Sequence, residues 1–221
     1  MDISNYIGLN YHLKKLDTTS REYKLVKEFY DVTCINSKEI YCDCKVLEFQ
    51  VCKVIENKPM EAAGSNNMML FHGTSKNGVQ AVLNGGFKNS ERGWFGRGLY
   101  MTESSYIAYG YTYKHNGGLH KADNFIFVNE VLESEKLQTF VYNSPFDIRE
   151  NDSTPSNAFN KHVRKESPQI ELTEENYKKD LEGRQYRNVA IHGNGLLDEF
   201  VAEASVTIPR YLIIIKTEKS K

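Results

Sequence analysis

Hydrophobic and polar positions follow two different periods in the first quarter of the chain. Over 12–32, aromatic and apolar residues recur at every third or fourth position, which predicts an amphipathic helix. The polar run Asp17–Ser20 supplies residue types that cap helices. Over 39–57, apolar and polar residues alternate instead, which predicts one long strand.

The middle of the chain contains two strand-to-helix transitions. We predict a strand over 68–72 followed by a helix over 75–84, and a second strand over 99–102 followed by a second helix over 104–113. Gly85-Gly86 ends the first of these helices, and Thr102 or Ser104 caps the second. Polar segments rich in glycine, asparagine or lysine predict loops at 58–67 and 115–123.

The C-terminal half is richer in strands. The pattern predicts strands over 124–133 and 188–193, and an irregular stretch over 144–186 with a short helix near 174–182. Over 198–216 the pattern predicts a strand, a break near Pro209 and a final strand. Strands outnumber helices and the helices are short, so the predicted fold class is α+β with an antiparallel-rich core.

Composition narrows the class of protein without identifying it. A chain of 221 residues fits one domain, 1–221, with a core over about 10–216. The 28 basic and 29 acidic residues give a net charge of -1, which gives no electrostatic case for duplex nucleic acid or an anionic membrane. No apolar run reaches the roughly 20 residues of a membrane helix, and the N-terminus lacks a signal-peptide layout. We therefore expect an intracellular protein, nuclear or cytoplasmic, with no membrane partner.

The cysteines are clustered in one part of the sequence. All four lie between positions 34 and 52, at Cys34, Cys42, Cys44 and Cys52. No CxxC pair occurs, so zinc is a weak alternative and disulfides a weaker one. Cys42, Cys44 and Cys52 share their parity in the predicted strand with Val46 and Val54, which favours buried thiols on one apolar face. We expect no metal site.

Common enzyme motifs are absent, and three separated residues remain as candidates. The sequence contains no P-loop, dinucleotide fingerprint, HExxH or GxSxG. His72 follows an apolar strand, Tyr100 lies on a strand beside glycines, and Glu199 begins a late strand. Taken singly, each has an ordinary explanation: a surface or core histidine, a core tyrosine and a solvated glutamate. Their spacing alone does not decide between these explanations and a site.

Three motifs in order give a family resemblance. The segments "LFHGTS", "FGRGLYMTESS" and "DEFVAEASVTIPRYLI" resemble the poly(ADP-ribose) polymerase superfamily, the diphtheria-toxin-like ADP-ribosyltransferases. The resemblance extends over roughly 10–216 and implies a split antiparallel sheet with short flanking helices. It also implies that the chain uses NAD as a substrate.

The resemblance implies a role for each matching residue. His72 hydrogen-bonds the 2'-hydroxyl of the adenosine ribose, and the backbone of Gly73 grips the nicotinamide carboxamide, with Thr74 in the same NAD-binding set. Tyr100 lies under the nicotinamide ring. Glu199 binds the 2'-hydroxyl of the nicotinamide ribose and stabilises the oxocarbenium-like state, because a nearby carboxylate favours developing positive charge. The expected catalytic residues are therefore Glu199, His72 and Tyr100.

The helix after Tyr100 departs from the family pattern at one position. The resemblance implies a second stacking tyrosine, for which Tyr109 and Tyr111 are the candidates. Ile107 falls where the family has a serine that binds the carboxamide, so this role passes to Ser105 or to Ser104 only if the alignment shifts by one residue.

The implied activity is NAD-dependent transfer of ADP-ribose. We favour transfer of a single unit over chain growth, with protein side chains as acceptors, including those of the protein itself. A nucleic-acid end remains open as an acceptor. The alternative is a weakly active or inactive module of the same fold that binds NAD or ADP-ribose.

Overall fold

The computed structural model describes residues 6–34, 44–57, 68–91, 98–115, 123–132, 137–141, 169–171, 188–193 and 197–219. Within these ranges the helices are α1 (Arg21–Thr33), α2 (Lys76–Gly85) and α3 (Ser105–His115). The strands are β1 (Tyr11–Lys15), β2 (Cys44–Glu56), β3 (Met68–Thr74), β4 (Leu99–Thr102), β5 (Asp123–Val131), β6 (Leu137–Val141), β7 (Gln169–Glu171), β8 (Asn188–Gly193), β9 (Leu197–Ala202) and β10 (Thr207–Lys219).

The described strands form one sheet. Their order is β1-β2-β10-β5-β3-β4-β9-β8-β6-β7. Neighbours pair antiparallel everywhere except around β6, which runs parallel to both β7 and β8. The α+β prediction with an antiparallel-rich core is confirmed. None of the helices in the described part of the chain is long and apolar enough to cross a membrane.

The two faces of the sheet are covered by different helices. On one face, α2 packs through Val79, Val82 and Leu83 into a cluster that includes Phe127 of β5 and Leu212 of β10. On the other face, α1 and α3 pack together into a second cluster; its members from these helices are Val26, Tyr30, Ala108 and Tyr109. Central strands such as β5 are therefore buried on both faces, which explains their nearly continuous apolar sequence.

The predicted helix over 12–32 is wrong at its N-terminal end. Residues Tyr11–Lys15 form β1, which pairs with the end of β2, and Leu16 N–H donates to the Val51 carbonyl at 2.9 Å. The helix begins only at Arg21, because Ser20 has extended backbone angles and its side chain accepts from Tyr23 N–H. The capping prediction for this polar run is confirmed at Ser20.

The break predicted near Pro209 lies earlier in the chain. A short 3-10 turn, Ala204–Val206, separates β9 from β10. Pro209 lies inside β10, where the register with β5 shifts between Pro209 and Tyr211. Proline has no N–H to donate, and a β-bulge is one of the few places where a strand accepts it.

The predicted apolar face of the cysteine strand is only partly confirmed. Cys52 and Val54 are buried in the cluster under α2, as expected. Val46 is 44% exposed and does not share the face of Cys52, because the β2–β10 register shifts by one residue at Leu47 and reverses the parity beyond it. Cys34 is half-buried, and the position of Cys42 lies outside the described residues, as do the predicted loop 58–67 and the helix near 174–182.

Candidate active site

The sheet opens between β3 and β4. These strands pair at one position in the described residues, Phe71 opposite Thr102. If the register continued, Gly73 would lie opposite Tyr100, but the ladder stops. The imidazole of His72 spans this opening instead, with its Nδ1 atom 2.7 Å from the carbonyl oxygen of Tyr100. The two motif residues are thus joined across the opening.

The backbone of Glu199 lies one strand further along the sheet. β9 pairs with β4 so that Glu199 is opposite Thr102 and Val201 is opposite Tyr100. The strands that carry His72, Tyr100 and Glu199 are therefore consecutive in the sheet. Residues separated by more than a hundred positions in the sequence are brought to one region by two antiparallel ladders.

Gly73 is required for a reason that the sequence did not suggest. A Cβ atom on Gly73 would lie 1.9 Å from the carbonyl oxygen of Ala108 in α3 and 3.1 Å from a methyl group of Thr112. The glycine therefore lets the backbone of α3 contact β3 directly. The resemblance implies only that the Gly73 backbone grips a ligand, whereas the first group that the missing side chain makes room for is a helix.

Thr74 is the last residue of β3 and lies against the beginning of α2. It is half-buried, and its Oγ1 atom would be 2.1 Å from a Cβ placed on Gly78. Ser75, the next residue, caps α2 by accepting from Gly78 N–H at 3.1 Å. The His-Gly-Thr-Ser run is thus a strand end that passes directly into a capped helix.

Phe87 is a neighbour of His72 that the sequence analysis missed. Its ring centroid lies 5.6 Å from that of His72, with an angle of 82° between the rings, and 5.5 Å from that of Phe127. Gly86, with a φ of 75°, ends α2 and turns the chain so that Phe87 follows directly. The apolar residue after Gly85-Gly86 was the available signal, since helix ends of this type often carry a hydrophobic contact.

The other candidates on α3 have different surroundings. Ser105 is fully buried, and its hydroxyl donates to the Tyr30 carbonyl of α1 at 2.7 Å. Tyr109 is also fully buried in the core, and its hydroxyl lies 3.3 Å from Oγ1 of Thr217 in β10. Tyr111 is 44% exposed. Ser105 and Tyr109 therefore fasten α3 to α1 and to the sheet, and Tyr111 has the accessible ring.

Ile107, at the position where the family has a serine, is buried in the structure. Ile107 is 8% exposed and belongs to the buried residues of α3. Ser104 caps the helix: its Oγ atom is 3.4 Å from the N–H of Ile107 and 3.4 Å from the Thr33 carbonyl. The serines near Ile107 thus have structural hydrogen bonds.

Tyr211, in the last of the three motifs, lies on β10 beside α1. Its hydroxyl donates to Oε1 of Glu22 at 2.9 Å, and Lys53 Nζ lies 2.8 Å from the same oxygen. Burial, together with the adjacent carboxylate, raises the pKa of Tyr211 to about 12. The hydrogen bond from Lys53 lowers the pKa of Glu22, and the Tyr211 hydroxyl adds to this effect. This part of the motif stabilises the packing of α1.

A metal site is not formed by the described residues: no three His, Cys, Asp or Glu side chains there are grouped closely enough.

Comparison with known proteins gives one family. The model of the poly(ADP-ribose) polymerase catalytic domain matches residues 12–216. A search of curated proteins gave no match. The family match spans most of the chain, and the chain therefore belongs to the poly(ADP-ribose) polymerase catalytic domain family, whose members are NAD-dependent ADP-ribosyltransferases.

Proposed function

We propose that this member of the family cleaves the bond between nicotinamide and ribose in NAD and transfers a single ADP-ribose to protein side chains, including its own. One observation carries the proposal. Nδ1 of His72 lies 2.7 Å from the carbonyl oxygen of Tyr100 across the sheet opening, and Glu199 is on the strand adjacent to that of Tyr100. This is the arrangement expected of the three motif residues if they surround one dinucleotide.

The proposed roles are those that the family resemblance implies, and the burial of the α3 side chains chooses between the two candidate tyrosines. Tyr100 lies under the nicotinamide ring, and Tyr111, which is 44% exposed, is preferred to buried Tyr109 for the second stacking position. Two stacked rings hold the reacting sugar in place, which is a gain in positioning. The backbone of Gly73 holds the carboxamide at the edge of β3 where the ladder with β4 has ended.

Glu199 supplies the electrostatic part of the mechanism. As the bond between ribose C1' and the nicotinamide nitrogen breaks, the electron pair goes to that nitrogen and neutral nicotinamide leaves. Positive charge develops on the ribose, and a carboxylate at the adjacent 2'-hydroxyl stabilises it. An acceptor oxygen, nitrogen or sulfur then bonds to C1' and loses its proton.

The test is to incubate the purified protein with labelled NAD and to measure nicotinamide release and label on protein. We expect transfer, with single ADP-ribose units by mass spectrometry. Glu199→Gln should reduce the rate by about 10²–10³, the typical loss when one transition-state electrostatic contact is removed. Glu48→Gln, an exposed carboxylate on β2, is the matched control and should retain the rate. A folded wild-type protein that neither transfers label nor releases nicotinamide would contradict the proposal.

The surroundings of Ile107 favour a second candidate, a module that binds NAD with little turnover. Ser105 already donates to Tyr30, and Ser104 caps α3, so neither hydroxyl is placed to replace the family serine. Ile107→Ser should then lower the KM for NAD, while Ile107→Ala, which removes bulk without adding a hydroxyl, should not. If wild type binds a nicotinamide analogue by calorimetry but releases no nicotinamide, the second candidate is preferred.

A further inference from the structure

The hydrogen bond between His72 and Tyr100 has a definite direction. A carbonyl oxygen can only accept, so Nδ1 of His72 must carry the proton that it shares with the Tyr100 carbonyl. In a neutral imidazole one nitrogen donates and the other accepts. With the proton on Nδ1, Nε2 is an acceptor.

The ring of Phe87 restricts the orientation of this imidazole. The two rings meet edge to face, at 82°, and Phe87 is itself held edge to face against Phe127. Phe127 is fully buried and lies opposite His72 in the β3–β5 ladder. A rigid phenyl ring backed by a core residue opposes rotation of His72 about its side-chain bonds, since aromatic pairs have preferred geometries.

We propose that Phe87 is a positioning residue: with the Tyr100 carbonyl, it holds His72 as the Nδ1–H tautomer, so that Nε2 accepts a hydrogen bond from a ligand hydroxyl. The proposal rests on the proposed function for the identity of the ligand, which is the adenosine ribose of NAD. It goes beyond that function by assigning which partner donates. The ligand must bring the proton, so an ether or a fully ionised phosphate at the same position is a poor substitute.

Nuclear magnetic resonance of the histidine rings tests the tautomer directly. Long-range proton–nitrogen spectra of the ¹⁵N-labelled protein distinguish Nδ1–H from Nε2–H, and His72→Asn identifies the His72 signals. We expect the Nδ1–H pattern in the wild-type protein without ligand. An Nε2–H pattern from His72 overturns the proposal without any further variant.

Phe87→Leu tests the contribution of the ring. It keeps an apolar side chain and removes the flat surface, so His72 signals should shift toward an average of both tautomers. The KM for NAD should rise about tenfold, the equivalent of about 1.4 kcal/mol, with kcat within about twofold, because the contact is remote from the broken bond. An unchanged tautomer, or a fall in kcat with an unchanged KM, contradicts the proposal.

Phe29→Leu is the matched control. Phe29 stacks on Phe71, the residue before His72, with ring centroids 4.8 Å apart, so its loss also perturbs β3. It should reduce stability without changing the His72 tautomer. Should Phe87→Leu fold poorly, Phe87→Met offers an unbranched side chain of similar volume that adapts more easily to the site, and it is judged by the same two readouts. Nδ1–H signals in a protein that binds no NAD would defeat the proposed function alone, whereas NAD turnover with an Nε2–H pattern would defeat this inference alone.

Discussion

The two faces of the sheet are stabilised by different kinds of contact. Beneath α2 the contacts are apolar, through Val79, Val82 and Leu83. Beneath α3, apolar packing is joined by buried hydrogen bonds to α1, β5 and β10. These are Ser105 to Tyr30, Thr112 to Asn124, and Tyr109 with Thr217. Both helices follow directly from a strand that carries a motif residue.

The difference concerns how closely each helix is fixed. Apolar burial is non-directional and tolerates small displacements, whereas buried hydrogen bonds need particular partners and penalise any displacement that breaks them. Close backbone contact does not distinguish the two helices, because a Cβ on Gly73 would meet the Ala108 carbonyl of α3 and a Cβ on Gly8 would lie 2.4 Å from the Leu83 carbonyl oxygen of α2. The helix on the nicotinamide side of the proposed site is therefore held to the sheet by buried, directional hydrogen bonds as well as apolar packing, whereas the helix on the His72 and Phe87 side packs on the sheet through apolar side chains.

The largest effect is expected from Gly73→Ala. The added Cβ would meet the Ala108 carbonyl at 1.9 Å, so α3 must move away from β3. We expect the free energy of unfolding to fall by about 3 kcal/mol or more and NAD turnover to be lost. Chemical denaturation and nicotinamide release measure the two effects. Gly85→Ala is the control, since its Cβ would meet nothing within 4 Å; an equal loss there would mean that the helix contact is unimportant.

Leu83→Ala tests the apolar face. Leu83 is fully buried under α2, and its truncation should reduce the free energy of unfolding by about 3 kcal/mol through lost burial and a cavity. Because α2 can settle into the space, we expect the remaining folded protein to keep most of its kcat. Leu25→Ala, on the exposed side of α1, should change stability by less than about 0.5 kcal/mol. A large fall in the kcat of folded Leu83→Ala would show that turnover depends as strongly on the packing of α2 as on that of α3.

Ser105→Ala tests the hydrogen-bonded face with a smaller change. It leaves the Tyr30 carbonyl without its 2.7 Å donor, at a cost of about 1–2 kcal/mol. We expect kcat/KM for NAD to fall more than this stability loss suggests, because α3 carries the proposed stacking ring. Ser20→Ala removes the cap of α1 at a similar cost of about 1 kcal/mol and should leave kcat/KM unchanged. Equal kinetics in the two variants would argue against a special role for the docking of α3.

The smallest effect is expected from Tyr211→Phe. Removing the hydrogen bond to Glu22 should cost about 1 kcal/mol near neutral pH. The pKa of Tyr211 is raised in the folded state from about 10 to about 12, so the stability it contributes is complete below pH 10 and is lost as pH rises toward 12. Denaturation at a series of pH values should show the difference between wild type and Tyr211→Phe shrinking across this window. A constant difference would mean that the phenol does not titrate with folding.

The same contrast explains what the sequence could predict. Apolar residues at helical spacing and the Gly85-Gly86 stop were enough to place α2, because all of its signals are local. The buried roles of Ser105 and Tyr109 were not predictable, since their partners Tyr30 and Thr217 are about 75 and 108 positions away. Polar side chains buried through distant hydrogen bonds have no local pattern.

The errors at strand ends have a similar origin. Residues 12–15 have helical spacing, but pairing with β2 overrides it. Pro209 predicted a break, but the register shift with β5 lets it stay inside β10. The candidate residues His72, Tyr100 and Glu199 were identified by three ordered motifs, since each residue alone has an ordinary structural explanation.

Among the described residues, the boundary between β3 and β4 has the shortest ladder in the sheet. Phe71 and Thr102 form the only β3–β4 pair in the described residues. The ladders on either side, β5–β3 and β4–β9, each extend over several residues. A ligand that separates neighbouring strands should do so between β3 and β4, because few main-chain hydrogen bonds have to be broken at this boundary. The proposed chemistry lies along this boundary, with His72 on β3 and Tyr100 on β4.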